Sequence, residues 1–127
     1  MTLGIALATM AAGAVGALAR YLTGVLAARI GGIRELPVAV LVVNVIGSFL
    51  AGLLLGMLRA GGLDPATELI IVTGVCGGLT TFSTLSVETV QLALIGRWRL
   101  ALLSVGANLV VGLGAVAAGW ALGAALG

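Results

Sequence analysis

Apolar residues run almost without interruption through four stretches of this chain, roughly Leu3 to Ala28, Pro37 to Met57, Leu69 to Ile95 and Leu100 to Leu126. Each reaches or exceeds the ~20 mostly apolar residues a helix needs to cross a bilayer. The separators are short and carry turn chemistry. "RIGGIRELP" supplies glycines, charges and a proline that restricts its predecessor, "RAGGLDPATE" does the same, and "GRWR" is barely a turn. In the second separator, Asp64 as N-cap and Pro65 at the first helical position predict a helix start. The pattern predicts an all-α integral membrane protein: one transmembrane domain over residues 1–127, with four helices over roughly 3–28, 37–57, 69–95 and 100–126 and no linker.

Composition agrees and removes several functional classes. The 127 residues are 61% hydrophobic and 8% charged, against roughly 25% charged for a soluble domain. The first stretch is too long for a signal peptide, lacks a basic leading region and contains Arg20, so it reads as a span. With Cys76 as the one cysteine, no intramolecular disulfide can form, and with no histidine the usual transition-metal sites are absent. Nothing here points to an enzyme. The net charge of +2 is spread over loop ends, without the basic cluster that nucleic acid or a polybasic lipid site requires.

Much of the glycine, 21 residues in all, recurs at helical spacing, as at Gly52 and Gly56 or Gly119, Gly123 and Gly127. Small residues four apart let helix backbones approach in lipid, which predicts packing and nothing about function. Four thin helices are too few to enclose a path for a polar solute and shield it from lipid, so the chain is expected to oligomerise. Tyr21 and Trp98 suit the membrane interfaces.

Polar groups at bilayer depth are costly unless paired, and mark functional candidates. Asn44 lies among β-branched apolar residues, where its amide must find a partner helix or line a cavity. Ser104 and Asn108 are four apart and share a helix face. In the third span, "GVCGGLTTFSTLSVETV" holds a Gly-Gly pair, five hydroxyls between Thr80 and Ser86, and Glu88. Gly77 and Gly78 each weaken a helix by about 1 kcal/mol relative to Ala. A break there would offer backbone carbonyls to a cation. Beyond it, Thr81, Thr84 and Glu88 follow at helical intervals, with Phe82 and Leu85 on the adjacent face. Hydroxyl bonds back to the i−4 carbonyls would account for one or two of these residues. Hydroxyls, a carboxamide and the electropositive edge of a phenyl ring can together replace water around a small anion. A cation at a constriction would hold an anion too tightly for conduction, whereas Arg20 could draw anions into a wet vestibule.

"GAVGALARY", "PVAVLVVNVIGSFLAG" and above all "GVCGGLTTFST", in that order along a chain of this length, resemble the bacterial fluoride channel family known as Fluc or CrcB. The resemblance implies a four-helix subunit assembled as an antiparallel, dual-topology homodimer with two pores, exporting fluoride passively across the inner membrane and reducing its toxicity. It makes Asn44 the pore asparagine, Phe82 the first of two pore phenylalanines, and Ser83 and Thr84 part of a polar track. Arg20 becomes the vestibule arginine and Glu88 the acid after the motif. Gly77 and Thr80 become the residues whose backbone carbonyls, two from each subunit, hold a structural Na⁺ at the dimer axis. The family's second phenylalanine is Leu85 here, and its Tyr-x3-Ser-x3-Gly pattern in the fourth span reads Ser104, Asn108 and Gly112.

Two other readings compete. A small four-helix proton-coupled multidrug exporter needs a titratable carboxylate in its first span, and this first span has no acid. A partner subunit of a heterodimeric channel, with a degenerate pore, is favoured by Leu85 and Ser104 and opposed by Asn44, Phe82 and the intact "GGLTTFST". Charge bears on this choice. The loops joining spans 1 to 2 and 3 to 4 hold Arg29, Arg34, Arg97 and Arg99, while the opposite side holds Arg59 alone outside the spans. By the positive-inside rule that imbalance favours a single insertion topology with both termini outside the cytoplasm.

Overall fold

A computed structural model describes residues 2–30 and 38–127. The first inter-span connection with Arg34, and the expected start of span 2 at Pro37, lie outside the described residues. Among the described residues, four helical spans are long and apolar enough to cross a membrane: Leu3–Arg29, Val38–Ala60, Pro65–Leu94 and Trp98–Leu126. Helix α1 is Leu3–Ile30 and α2 is Val38–Ala60. The third span is composite, with α3 at Pro65–Glu68, a π-helical segment at Leu69–Cys76, α4 at Gly77–Leu79 and α5 at Phe82–Leu94. Helix α6, Trp98–Leu126, completes the chain.

The third span begins at Pro65 because Asp64 caps it. The Asp64 Oδ1 accepts the N–H groups of Ala66 and Thr67, each at 3.0 Å, and Pro65 occupies the first turn, where its missing N–H costs nothing. Its other end turns at Gly96, whose φ of +78° suits glycine, and α6 starts at Trp98, one residue past Arg97.

The helices pair through glycine. The longest contact joins α2 to α6, and α1 packs on the π-helical segment and α4. A Cβ on Gly52 would strike the Val116 carbonyl and one on Gly123 the Leu53 carbonyl. On the other pair, a Cβ on Gly16 would meet the Val75 carbonyl and one on Gly78 the Gly13 carbonyl. Such contacts bring backbones together in lipid, where van der Waals packing drives association. The buried core is thin. Its apolar members are Val40, Val43, Cys76, Leu79 and Ala101, and two hydroxyl residues, Thr81 and Ser104, are buried with them. Large apolar side chains such as Leu7, Leu18, Leu102 and Val110 face outward, as lipid-facing helices require.

Candidate functional site

The backbone is extended at Thr80 (φ −76°, ψ 155°) and Thr81 (φ −150°, ψ 120°). Gly77 and Gly78, singled out by helix propensity, are helical. Glycine at 78 serves the close approach to Gly13, and the extended residues are instead held by side chains. The Asn44 Oδ1 accepts the Thr81 N–H at 2.8 Å, and Asn44 Nδ2 reaches the Thr81 carbonyl at 3.3 Å. A second donation from Asn44 Nδ2 goes to Asn108 Oδ1 at 2.9 Å. Asn108 in turn donates to the Ser104 carbonyl at 2.9 Å. One carboxamide on α2 therefore ties α6 to the extended residue of the third span.

These contacts assemble a polar face inside the apolar bundle. On α6, Ser104, Asn108 and Gly112 lie one turn apart, and on α2 Asn44 and Ser48 do the same. Ser48 sits beside Gly112, its Oγ 3.8 Å from where a Cβ would be. Ser104 is 4% exposed and its Oγ has no hydrogen-bond partner.

The five hydroxyls between Thr80 and Ser86 divide by role. Thr80 and Ser86 bond back to the carbonyls of Cys76 and Phe82, each at 2.9 Å, which is the local satisfaction typical of helical Ser and Thr. Thr81 caps α5, its Oγ1 accepting the Thr84 N–H at 3.2 Å. The same hydroxyl donates to Thr84 Oγ1 at 3.0 Å and lies 3.2 Å from Ser83 Oγ. A hydroxyl has one hydrogen, so the Ser83 contact must be donated by Ser83. The chain of donors runs from Ser83 through Thr81 to Thr84 and ends on the Thr84 hydrogen.

Phe82, Ser83 and Thr84 are exposed on the single subunit, Phe82 at 82%. Gly77 is also exposed. Glu88, one turn beyond Thr84, has a buried Oε2 with no partner. Arg20 lies against the extended residues, its Nη1 donating to the Thr80 carbonyl at 3.3 Å. The polar residues of three spans thus meet around Thr80 and Thr81. Thr81 is the member that sequence reasoning undervalued: it appears there as one hydroxyl among five, whereas it is the capping residue and the clasped backbone. Its signal was a threonine, a preferred N-cap residue, directly before the helical run that starts at Phe82.

Among the described residues, no group of three or more His, Cys, Asp or Glu side chains converges to hold a metal. A cation here would depend on backbone oxygen. The Thr81 N–H, which in an uninterrupted helix bonds to the Gly77 carbonyl, goes to Asn44 instead, so that carbonyl is released on an exposed face. The Thr80 carbonyl keeps a second lone pair beside its contact with Arg20. Neutral carbonyl oxygens suit a hard monovalent cation, and two from one chain are an incomplete set.

Comparison with known proteins places this arrangement. Residues 7–120 match a family described as CrcB-like protein, Camphor Resistance (CrcB). A fluoride-specific ion channel FluC of Agrobacterium fabrum is 45% identical over 113 residues, covering 87% of this chain and 89% of the relative. Its counterpart in Idiomarina loihiensis is 43% identical over 104 residues, covering 82% and 80%. That of Renibacterium salmoninarum is 44% identical over 94 residues, covering 74% and 75%.

Proposed function

The chain belongs to the CrcB-like family, and from that premise we propose that it is a fluoride-selective channel, not an enzyme, exporting fluoride passively across the bacterial inner membrane. The observation that carries the reading is the 45% identity to a fluoride-specific ion channel over nearly the whole of both chains. The chemistry of the polar face supports it. Fluoride is small and accepts hydrogen bonds strongly, and neutral donors in series can exchange for its water without trapping it. The Ser83–Thr81–Thr84 chain ends on a donor, and the Phe82 ring offers its electropositive edge beside it. Glu88, one turn beyond Thr84 and with its Oε2 buried and unpartnered, would act with that track.

The assembly is part of the proposal. Phe82, Ser83, Thr84 and Gly77 lie on one subunit's surface, where lipid could not satisfy the free hydroxyl hydrogen of Thr84 or the carbonyl of Gly77. A second copy in antiparallel orientation would cover this face, complete the walls of two pores, and add two carbonyls to those of Gly77 and Thr80. Four carbonyls would hold a structural Na⁺, which supplies charge to bind the two subunits at their axis. Arg20, close to the same carbonyl, adds positive potential for an incoming anion.

The imbalance of arginines keeps a heterodimer as the second reading, in which this chain pairs with a subunit of opposite insertion bias. The channel reading is tested in cells. Expression in a bacterium made fluoride-sensitive by loss of its own exporter should restore growth in fluoride; an expressed, membrane-inserted protein that restores none contradicts the reading.

A further inference from the structure

We infer that Arg20 sets the affinity of the cation site between subunits: its guanidinium and Na⁺ compete at the Thr80 carbonyl, so that each weakens the other's hold on it. The inference rests on the reading that two copies bring the Gly77 and Thr80 carbonyls together around Na⁺, and it starts from what the break in the third span does to those oxygens. In an uninterrupted helix the Gly77 carbonyl takes the Thr81 N–H and the Thr80 carbonyl takes the Thr84 N–H. Both N–H groups are diverted. That of Thr81 goes to Asn44 Oδ1 at 2.8 Å, and that of Thr84 goes to Thr81 Oγ1 at 3.2 Å. Two backbone oxygens three residues apart are released, and one of them receives a substitute donor from α1. Arg20 Nη1 donates to the Thr80 carbonyl at 3.3 Å.

That contact is loose. Hydrogen bonds from a charged nitrogen to oxygen are typically about 2.7–2.9 Å long, so at 3.3 Å the guanidinium is held weakly enough to be displaced. No carboxylate pairs with Arg20 among the described residues, so its charge stands beside the oxygen without a counter-ion. A carbonyl has two lone pairs, and a metal ion on the second would lie within the ~4–6 Å over which like charges oppose one another. In a pair of subunits, two guanidinium groups face one ion. Where water is largely excluded, such repulsion is worth a factor of roughly ten or more in affinity. The antagonism is reciprocal by linkage. An ion on the axis loosens Arg20 from the carbonyl, and Arg20 on the carbonyl keeps the ion's hold weak. In a lone subunit the side chain covers the Thr80 oxygen that a second copy would turn into a metal ligand.

The test separates charge from hydrogen bonding. Arg20→Gln keeps an N–H donor for the Thr80 carbonyl and removes the charge, whereas Arg20→Lys keeps the charge. The purified full chain is equilibrated in detergent over a series of Na⁺ concentrations, with a bulky organic cation holding the ionic strength constant, and its melting temperature is measured. The readout is the Na⁺ concentration that gives half of the rise in melting temperature. Arg20→Gln should move this half-point roughly tenfold or more toward lower Na⁺, while Arg20→Lys should stay within about threefold of the wild type. If the Gln variant does not fold, Arg20→Met makes the same charge-free comparison. A half-point that is unchanged without the charge, or that moves to higher Na⁺, overturns the inference, as does a Lys variant that shifts as far as the Gln variant. Melting that ignores Na⁺ in the wild type and in every variant overturns the cation site itself, and is told apart because no half-point exists to compare.

Discussion

Asn44 and Thr81 exchange a pair of hydrogen bonds, the side-chain oxygen taking the Thr81 N–H at 2.8 Å and the side-chain nitrogen reaching the Thr81 carbonyl at 3.3 Å. A carboxamide is here standing in for the neighbouring strand that an extended residue would otherwise need. In a bilayer that substitution is what lets two residues leave the helix without stranding their peptide groups. The polar face is built around this contact: it diverts the Thr81 N–H from the Gly77 carbonyl, sets Thr81 as the cap of α5, and brings Asn108 alongside.

Thr81→Val should therefore cost more than its small change in shape suggests. The Thr81 hydroxyl accepts the Thr84 N–H and donates to Thr84 Oγ1, and loss of a capping hydroxyl typically costs about 0.5–2 kcal/mol. Thermal unfolding in detergent should show a lower midpoint, and fluoride flux should fall because Ser83 and Thr84 lose the hydroxyl that links them. An unchanged midpoint would mean that the cap adds nothing.

Glycines that look alike in sequence should respond differently to alanine. A Cβ on Gly78 runs into the Gly13 carbonyl, while one on Gly114 meets nothing within 4 Å. Gly78→Ala should be destabilised by roughly 1–3 kcal/mol as α1 and α4 are forced apart. Gly114→Ala should be neutral or better, since alanine favours a helix by about 1 kcal/mol over glycine. Equal melting of the two variants would contradict the packing described above.

The cap of the third span carries a pH signature. The hydrogen bond from the Thr67 side chain, then that from the Thr67 backbone, holds the exposed Asp64 carboxyl below its usual range. A depressed folded value means that the carboxylate stabilises the folded state above the unfolded pKa, and that this contribution is lost as pH falls through the folded pKa. The gap in melting temperature between wild type and Asp64→Ala should be open at neutral pH and close in acid below the ordinary Asp range. A gap that widens in acid would reverse the sign and reject the assignment.

If Gly77 and Thr80 carbonyls hold Na⁺ between two copies, replacing Na⁺ with a bulky organic cation should inactivate transport slowly, at the pace of subunit loosening. Full flux after exhaustive Na⁺ removal, verified by elemental analysis, would leave those carbonyls without the proposed role.

Orientation can be read directly. With Cys76 replaced by alanine, Leu63→Cys puts a thiol in the connection between the second and third spans. In cells expressing this chain alone, labelling from both sides of the membrane is expected for a dual-topology homodimer. Labelling from one side only would make the chain half of a heterodimer, as its four arginines against one suggest.

The spans were legible because lipid imposes one simple requirement, a long apolar run, and four runs satisfy it. Their ends followed wherever a local signal existed, as at Asp64 and Pro65. The interior of the third span was less legible. Propensity points to Gly77 and Gly78 as the weak place, yet those residues stay helical because glycine is needed there for contact with α1, and it is Thr80 and Thr81 that extend. Threonine tolerates extended backbone, but the decision belongs to Asn44, which lies 37 residues away. The Asn44–Asn108 pair spans 64 residues, and no local pattern announces it. Asn44 itself was found because a carboxamide among valines demands a partner; which partner was a matter of tertiary structure.

The central claim, that a neutral series of donors conducts fluoride, is tested most directly by anion efflux from liposomes containing this purified chain, loaded in parallel with fluoride and with chloride. Small, closely spaced donors and a phenyl edge suit an ion that accepts hydrogen bonds strongly, so fluoride should leave rapidly while chloride is retained. Equal efflux of the two ions, or chloride efflux alone, would contradict the account.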